Sequence, residues 1–160
     1  MNTEEYLIAT VGDLNIGVFC KDVRNVFNND IKVTRLFYQS DIYLGITEIH
    51  GQIMDVIDLR KRLQMNSAEG DQKQSKNVIT FQTSVDKFIA LMVDEIIGLK
   101  SILTENIHHE HSSQTEELNI HLLFPTVAVL TGGEIIHLLD VTYLDKTEHI
   151  PDEFGDLEFF

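Results

Sequence analysis

Residues 44–63 read LGITEIHGQIMDVIDLRKRL, that is Leu44-Gly45-Ile46-Thr47-Glu48-Ile49-His50-Gly51-Gln52-Ile53-Met54-Asp55-Val56-Ile57-Asp58-Leu59-Arg60-Lys61-Arg62-Leu63. Two β-prone runs, 46–49 and 53–57, flank His50-Gly51. Glycine reaches the positive φ that a tight turn demands, so the pair is predicted to be a β-hairpin. Asp58 then stands where an N-cap carboxylate accepts the free backbone N–H groups of a new helix. Leu59 and Leu63 share one face of that helix, and Arg60, Lys61 and Arg62 fall on the others. Strand, turn, strand and capped helix make a folding unit without a reactive constellation.

Moving outward, Tyr6 to Val11, Gly12-Asp13 and Leu14 to Phe19 predict a first hairpin with a type II′ turn. Val23, Val26 and Phe27 fall at i, i+3 and i+4, the spacing of a short helix. Residues 66–76 have almost nothing to bury and are expected to form a flexible linker. Val78 to Phe81 and Phe88 to Val93 predict another hairpin, followed by Ile96, Ile97 and Leu99 around Gly98. Val127 to Leu130, Gly132-Gly133, Ile135 to Leu139 and Asp140 repeat the strand, turn, strand and cap pattern.

Two echoes run through the chain. Ile57-Asp58-Leu59 returns as Leu139-Asp140-Val141, and Gly17 to Val23 resembles Ala90 to Ile96. This is the mark of an internal duplication. Short strands, Gly turns and short helices argue an all-β barrel architecture. Ile135-Ile136-His137-Leu138-Leu139 is apolar on both faces, which suits strands packed inside one barrel and against a second.

The quoted stretch resembles the central signature of CheW-like domains, which runs Gly-Val-Ile-Asn-Leu-Arg-Gly, an apolar strand, then Ile-Asp-Leu-Arg. Gly45, Ile46, Ile49, Gly51, Ile57, Asp58, Leu59 and Arg60 match in type and spacing. Glu48 stands where the family usually has Asn, and His50 where it has Arg. Val93-Asp94 and Ile97-Gly98 add to the likeness, which extends over about residues 5–145. The resemblance implies two packed five-stranded SH3-like β-barrels with strands exchanged between halves. It also implies a non-catalytic adaptor coupling chemoreceptor cytoplasmic tips to a CheA-type histidine kinase. By the same resemblance Glu48, Ile49, His50 and Gly51 are the partner-binding candidates, and Gly45, Asp58, Arg60 and Asp140 support the barrels. For Asp58 and Asp140, helix capping is the stronger expectation. The expected organisation is one domain over 1–145 and an acidic tail over 146–160.

The 160-residue chain carries a formal charge of −14, from 12 basic and 26 acidic residues. That balance disfavours nucleic-acid phosphate and anionic lipid as partners, and suits solubility or docking onto basic surfaces. Cys20 is the sole cysteine, so an internal disulfide is impossible; it is expected to be a small buried residue rather than a reactive thiol. The start, Met-Asn-Thr-Glu-Glu, lacks signal-peptide character, and no run of about 18 apolar residues predicts a membrane span. A cytoplasmic location is the resulting expectation.

His108-His109-Glu110-His111 is the one enzyme-like lure, since imidazole and carboxylate suit Zn²⁺. It lacks the zincin spacing and is followed by a polar run with no apolar support, so no metal or cofactor is expected. His121 and His137 read as surface residues, and Glu4-Glu5, Asp94-Glu95 and Glu116-Glu117 as solvated faces. No nucleophile elbow or phosphate loop occurs, and an enzyme is not expected. A free-standing peptide-binding barrel outside chemotaxis is the main alternative, and a metal-dependent enzyme a distant third. Asp145 to Phe160 carries six acids against Lys146 yet ends Phe154, Leu157, Phe159, Phe160. That end is either disordered or docked through its aromatics.

Overall fold

A computed structural model of the chain describes residues 2–28, 31–35, 42–65, 77–84, 86–109 and 122–144. The strands are β1 (Thr3–Val11), β2 (Leu14–Phe19), β3 (Val23–Phe27), β4 (Thr34–Arg35), β5 (Tyr43–Ile49), β6 (Gln52–Asp58), β7 (Asn77–Ser84), β8 (Lys87–Val93), β9 (Glu95–Leu103), β10 (Ile107–His109), β11 (Thr126–Val129) and β12 (Ile135–Leu138). A short helix, α1 (Leu59–Arg62), follows β6, and 3₁₀ turns occupy Cys20–Asp22, Thr104–Asn106 and Val141–Tyr143. The linker 66–76, the tail 145–160, Glu110, His111, Glu116-Glu117 and His121 lie outside the described residues.

The strands form two six-stranded sheets. One runs β10-β11-β12-β2-β1-β9 and the other β3-β7-β8-β6-β5-β4. In each sheet the two edge strands are successive in the chain, so each sheet curls back on itself as a barrel. The all-β, two-barrel expectation holds, with six strands per sheet rather than five.

The hairpins are exchanged. β1 and β2 complete the sheet of β9 to β12, and β7 and β8 complete that of β3 to β6. The duplication also keeps its register. Parallel pairing sets His137 against Ile16 in one sheet and Asp55 against Ile89 in the other. The shift that carries Asp58 onto Asp140 also carries Asp55 onto His137, and the shift that carries Gly17 onto Ala90 carries Ile16 onto Ile89. Both pairings therefore follow the sequence echoes.

The strands buried on both faces are those of the exchanged hairpins rather than β12, where Ile135 is 47% exposed. On β1, Tyr6 and Ile8 enter a cluster with Ile102, Ala128, Ile136 and Leu138 inside their own barrel. The alternate residues Leu7, Ala9 and Val11 face a central core shared with Ile79, Phe81, Ile89 and Leu91 of the other exchanged hairpin. Val78, Ala90 and Met92 line the inside of the second barrel with Ile49, Met54 and Val56. Period-2 alternation therefore buries both faces of the exchanged hairpins, one against each core.

Two local expectations are corrected. Val23, Val26 and Phe27 belong to strand β3, which pairs with β7, not to a helix. So short a run, with two β-branched valines and a phenylalanine, gains more from a neighbouring ladder than from a helix it is too short to nucleate. Arg62 is buried, and its Nε donates to the Leu144 carbonyl oxygen at 3.3 Å. This ties α1 to the end of the last repeat. Cys20 is half-buried rather than fully buried, and burial followed by the charge of Glu5 pushes its thiol up, away from the reactive thiolate.

Gly45 marks a close crossing. A Cβ there would meet the Thr34 backbone carbonyl and lie 2.9 Å from Val33 Cγ1. Because β4 is a very short edge strand, it can yield. Gly45→Ala is expected to cost about 1–2 kcal/mol by forcing that shift, measured by urea denaturation; an unchanged midpoint would show that the crossing is loose.

Candidate functional site

The β5–β6 hairpin closes on the Ile49–Gln52 pair, with His50 and Gly51 between. His50 has φ +52° and Gly51 φ +80°. Positive φ at both central residues is the type I′ turn, whose twist matches that of the flanking strands. Glu48 is exposed opposite Ile53, which is itself 67% exposed. Ile49 points the other way, at 8% exposure, into the barrel core.

The structure thus puts Glu48, His50 and Gly51 at one exposed tip and the side chain of Ile49 beneath it. Strand alternation ends at Ile49, so Glu48 and His50 do not share a strand face. The His50 ring instead meets the Phe27 ring edge-on at 5.6 Å.

A histidine in the left-handed region stores backbone strain. Asn-Gly is the sequence best suited to this turn, so His50→Asn is expected to raise stability by about 0.5–1 kcal/mol. Thermal denaturation checks this. A loss would mean that the Phe27 contact outweighs the strain.

At the end of β6 away from the tip, Asp58 Oδ1 accepts the Arg60 N–H at 3.1 Å and caps α1. Asp140 repeats the arrangement, its Oδ1 accepting Thr142 N–H at 3.1 Å and the Thr142 hydroxyl at 2.7 Å. Burial pushes the Asp58 carboxyl up, against its backbone hydrogen bonds, and the nearby Asp94 charge adds to the rise.

Arg60 reaches across to Asp94 with a two-pronged fork, Nε to Oδ1 at 2.9 Å and NH2 to Oδ2 at 2.9 Å. Asp94 Oδ2 also accepts the backbone N–H of Gly12 at 2.8 Å. One carboxylate therefore joins the first hairpin turn, α1 and the β8–β9 junction. Burial raises the Asp94 carboxyl, but the Arg60 hydrogen bonds, the Gly12 N–H and the Arg60 charge outweigh it and hold the group below its ordinary range. Sequence reasoning took Asp94-Glu95 for a solvated face. The fork partner was visible only as an acid ending an apolar strand, far along the chain from Arg60.

Of the histidine lure, His108 and His109 lie on β10 and are exposed. Among the described residues, no group of three or more His, Cys, Asp or Glu is placed to hold a metal ion. His137 is half-buried, edge-on to the Phe124 ring at 6.0 Å.

The family model described as the CheW-like domain matches residues 5–148. A curated relative, "Chemotaxis protein CheW" of Klebsiella aerogenes, is 28% identical over 104 residues, which are 65% of this chain. The match spans 60% of that relative's length. Among solved structures, the scaffolding protein TtCheW from Thermoanaerobacter tengcongensis superposes with a TM-score of 0.76. The superposition covers 91% of this chain and 94% of that one, at 18% identity, and shows a shared fold of two SH3-like β-barrels.

Proposed function

This chain belongs to the CheW-like domain family, and from that premise we infer that it is a non-catalytic adaptor of a chemotaxis-like signalling array. It couples the cytoplasmic tips of chemoreceptors to a CheA-type histidine kinase. The observation that carries this reading is the extent of the family match, residues 5–148, which takes in both barrels and the hairpin exchange between them. The folded unit is 1–145, with 66–76 as its linker and 146–160 as an appended tail.

The adaptor acts by differential binding. Contacts that favour one kinase conformation shift its equilibrium by the difference in their free energy in the two states, without bond making. The tip formed by Glu48, His50 and Gly51, with exposed Ile53 beside it, is the receptor-facing contact. Ile49 holds that tip from inside the core, while Gly45, Asp58, Arg60 and Asp140 support the barrels through the strand crossing, the fork and the caps. The charge of −14 favours basic partner surfaces over nucleic acid or anionic lipid. Among the described residues no helix is long and apolar enough to cross a membrane, which accords with a cytoplasmic place beside the receptors.

The test is co-purification with a CheA-type kinase and with receptor-tip fragments, for the natural chain and for the double variant Glu48→Asn/His50→Arg. Arginine offers a permanent cation with five donors where imidazole offers one or two. The double variant is expected to bind a conventional receptor tip more tightly, by about tenfold for one added charge-assisted hydrogen bond. Failure to retrieve either kinase or receptor would favour a peptide-binding barrel outside chemotaxis, the reading that the Glu48 and His50 departures support.

A further inference from the structure

On the barrel built from β1, β2 and β9 to β12, a cleft of about 400 Å³ opens between the first hairpin and the last strand and its cap. Tyr6 and Phe19 line it, their ring centroids 5.6 Å apart and their planes tilted by 49°. Glu4, Asp22 and Asp140 bring three carboxylates to the same lining. Two of these already have work inside the fold: Glu4 accepts the Tyr6 hydroxyl at 2.9 Å, and Asp140 caps the turn at Thr142. The Asp22 carboxylate makes no hydrogen bond or ion pair with another described residue. Desolvation at the cleft wall and then the facing Asp140 charge push its carboxyl up, and a cation entering the cleft offsets the repulsion between the two acids.

The other repeat shows what such a place holds. The shift that superimposes Asp58 on Asp140 sets Arg60 on Thr142. In that repeat the Arg60 guanidinium lies beside Asp58 and forks onto Asp94. The shift that superimposes Ile89 on Ile16 puts Lys21 in the place of Asp94, and the acid moves one position on, to Asp22. One barrel thus supplies its own arginine to the acids around the cap. The other has the acids, a threonine in the arginine's position and an open cleft.

We propose that this cleft receives an arginine side chain presented by a partner protein, its guanidinium shared among the carboxylates and its stem lying against Tyr6 and Phe19. The chemistry selects this occupant over a metal ion. Among the described residues no group of three His, Cys, Asp or Glu is placed to hold a metal ion. A guanidinium spreads five donors over a plane and stacks on aromatic faces, so it can meet separated acceptors that a point charge cannot. Phe19 already draws a cation, with Lys21 Nζ 6.0 Å from its ring centroid.

The probe is the peptide acetyl-Gly-Arg-Gly-amide, titrated into the full-length ¹⁵N-labelled chain, with the citrulline peptide as a neutral control of the same shape. Saturable amide shifts are expected at Tyr6, Phe19 and Thr142 with the arginine peptide and not with the citrulline one. Asp22→Asn removes an exposed carboxylate outside the core and is expected to weaken binding about tenfold. Thr142→Arg, which copies the other repeat, is expected to fill the cleft and abolish the shifts while the melting transition is retained. Equal binding of the citrulline peptide, shifts confined to other residues, or an Asp22→Asn affinity equal to the natural chain's would each overturn the proposal.

Discussion

Residues 1–65 and 77–144, produced as separate chains, are each expected to be unfolded alone and to fold when mixed. The reason is the exchange of hairpins. The first chain carries β3 to β6 without the β7–β8 hairpin that pairs with both β3 and β6. It also carries β1 and β2, whose residues on both faces are buried only when β9 to β12 and the central core are present. The second chain has the mirror problem. Alone, each would expose apolar faces and unpaired strand edges, a state that a marginal net stability of about 5–15 kcal/mol for a whole domain cannot sustain. The cut falls in the polar run 66–76, whose sequence has almost nothing to bury. Near-ultraviolet circular dichroism and amide chemical-shift dispersion report the outcome. A dispersed spectrum from either half as a monomer would refute the claim that the exchange holds the fold together.

Replacing Asp94 with alanine is expected to remove about 2–3 kcal/mol of stability. It takes away both prongs of the Arg60 fork and the acceptor for the Gly12 turn. Charge-assisted hydrogen bonds are worth about 1.5–3 kcal/mol each when buried. Here the two side chains keep 28% and 24% exposure, so water recovers part of that sum. Arg60→Ala should cost less, because Asp94 keeps the Gly12 N–H. A double-mutant cycle on urea midpoints measures the coupling, and a value near zero would mean that Asp94 serves the Gly12 turn alone.

The Asp94 and Asp58 carboxyls together give stability a two-part dependence on pH. The folded Asp94 carboxyl lies below its ordinary value of 3.8. Its contribution is therefore complete above 3.8 and is lost as pH falls from there through the lower folded value. The folded Asp58 carboxyl lies above 3.8. Protonation then favours the folded chain, so acidification through the window just above 3.8 adds stability from this group. Asp58→Asn, which can still cap α1, should abolish that gain, and Asp94→Ala should flatten the loss at lower pH. Denaturation midpoints collected between about pH 3 and 6 separate the two. A profile that neither substitution alters would assign the acid response to other carboxylates.

Much of this was written in short stretches of sequence, because the physics involved is local. The hairpin at His50-Gly51, the Gly12 turn and the Asp58 and Asp140 caps each depend on a few adjacent residues. The two sequence echoes carried the duplication, and apolar residues on both strand faces announced a second packing layer. Local spacing misled where a ladder competed with it, as in β3, and it carried no sign that a distant carbonyl ties down Arg62. The family resemblance, not spacing, put Ile49 among the partner-binding candidates, and its side chain faces the core.

What only the tertiary structure decided was partnership between distant residues. The two repeats carry nearly the same local signals, so nothing near a hairpin states which barrel it will complete. That choice is made by the summed burial of both its faces. Parallel pairing of β6 with β8 then brings Asp58 opposite Met92, close before Asp94 in the chain. It turns an acid with the look of a solvated surface group into the anchor of Arg60. In the other barrel the same register leaves Thr142 and Asp140 beside an open cleft, because a shift of one position in the acid and the absence of an arginine acquire meaning only when the strands are side by side.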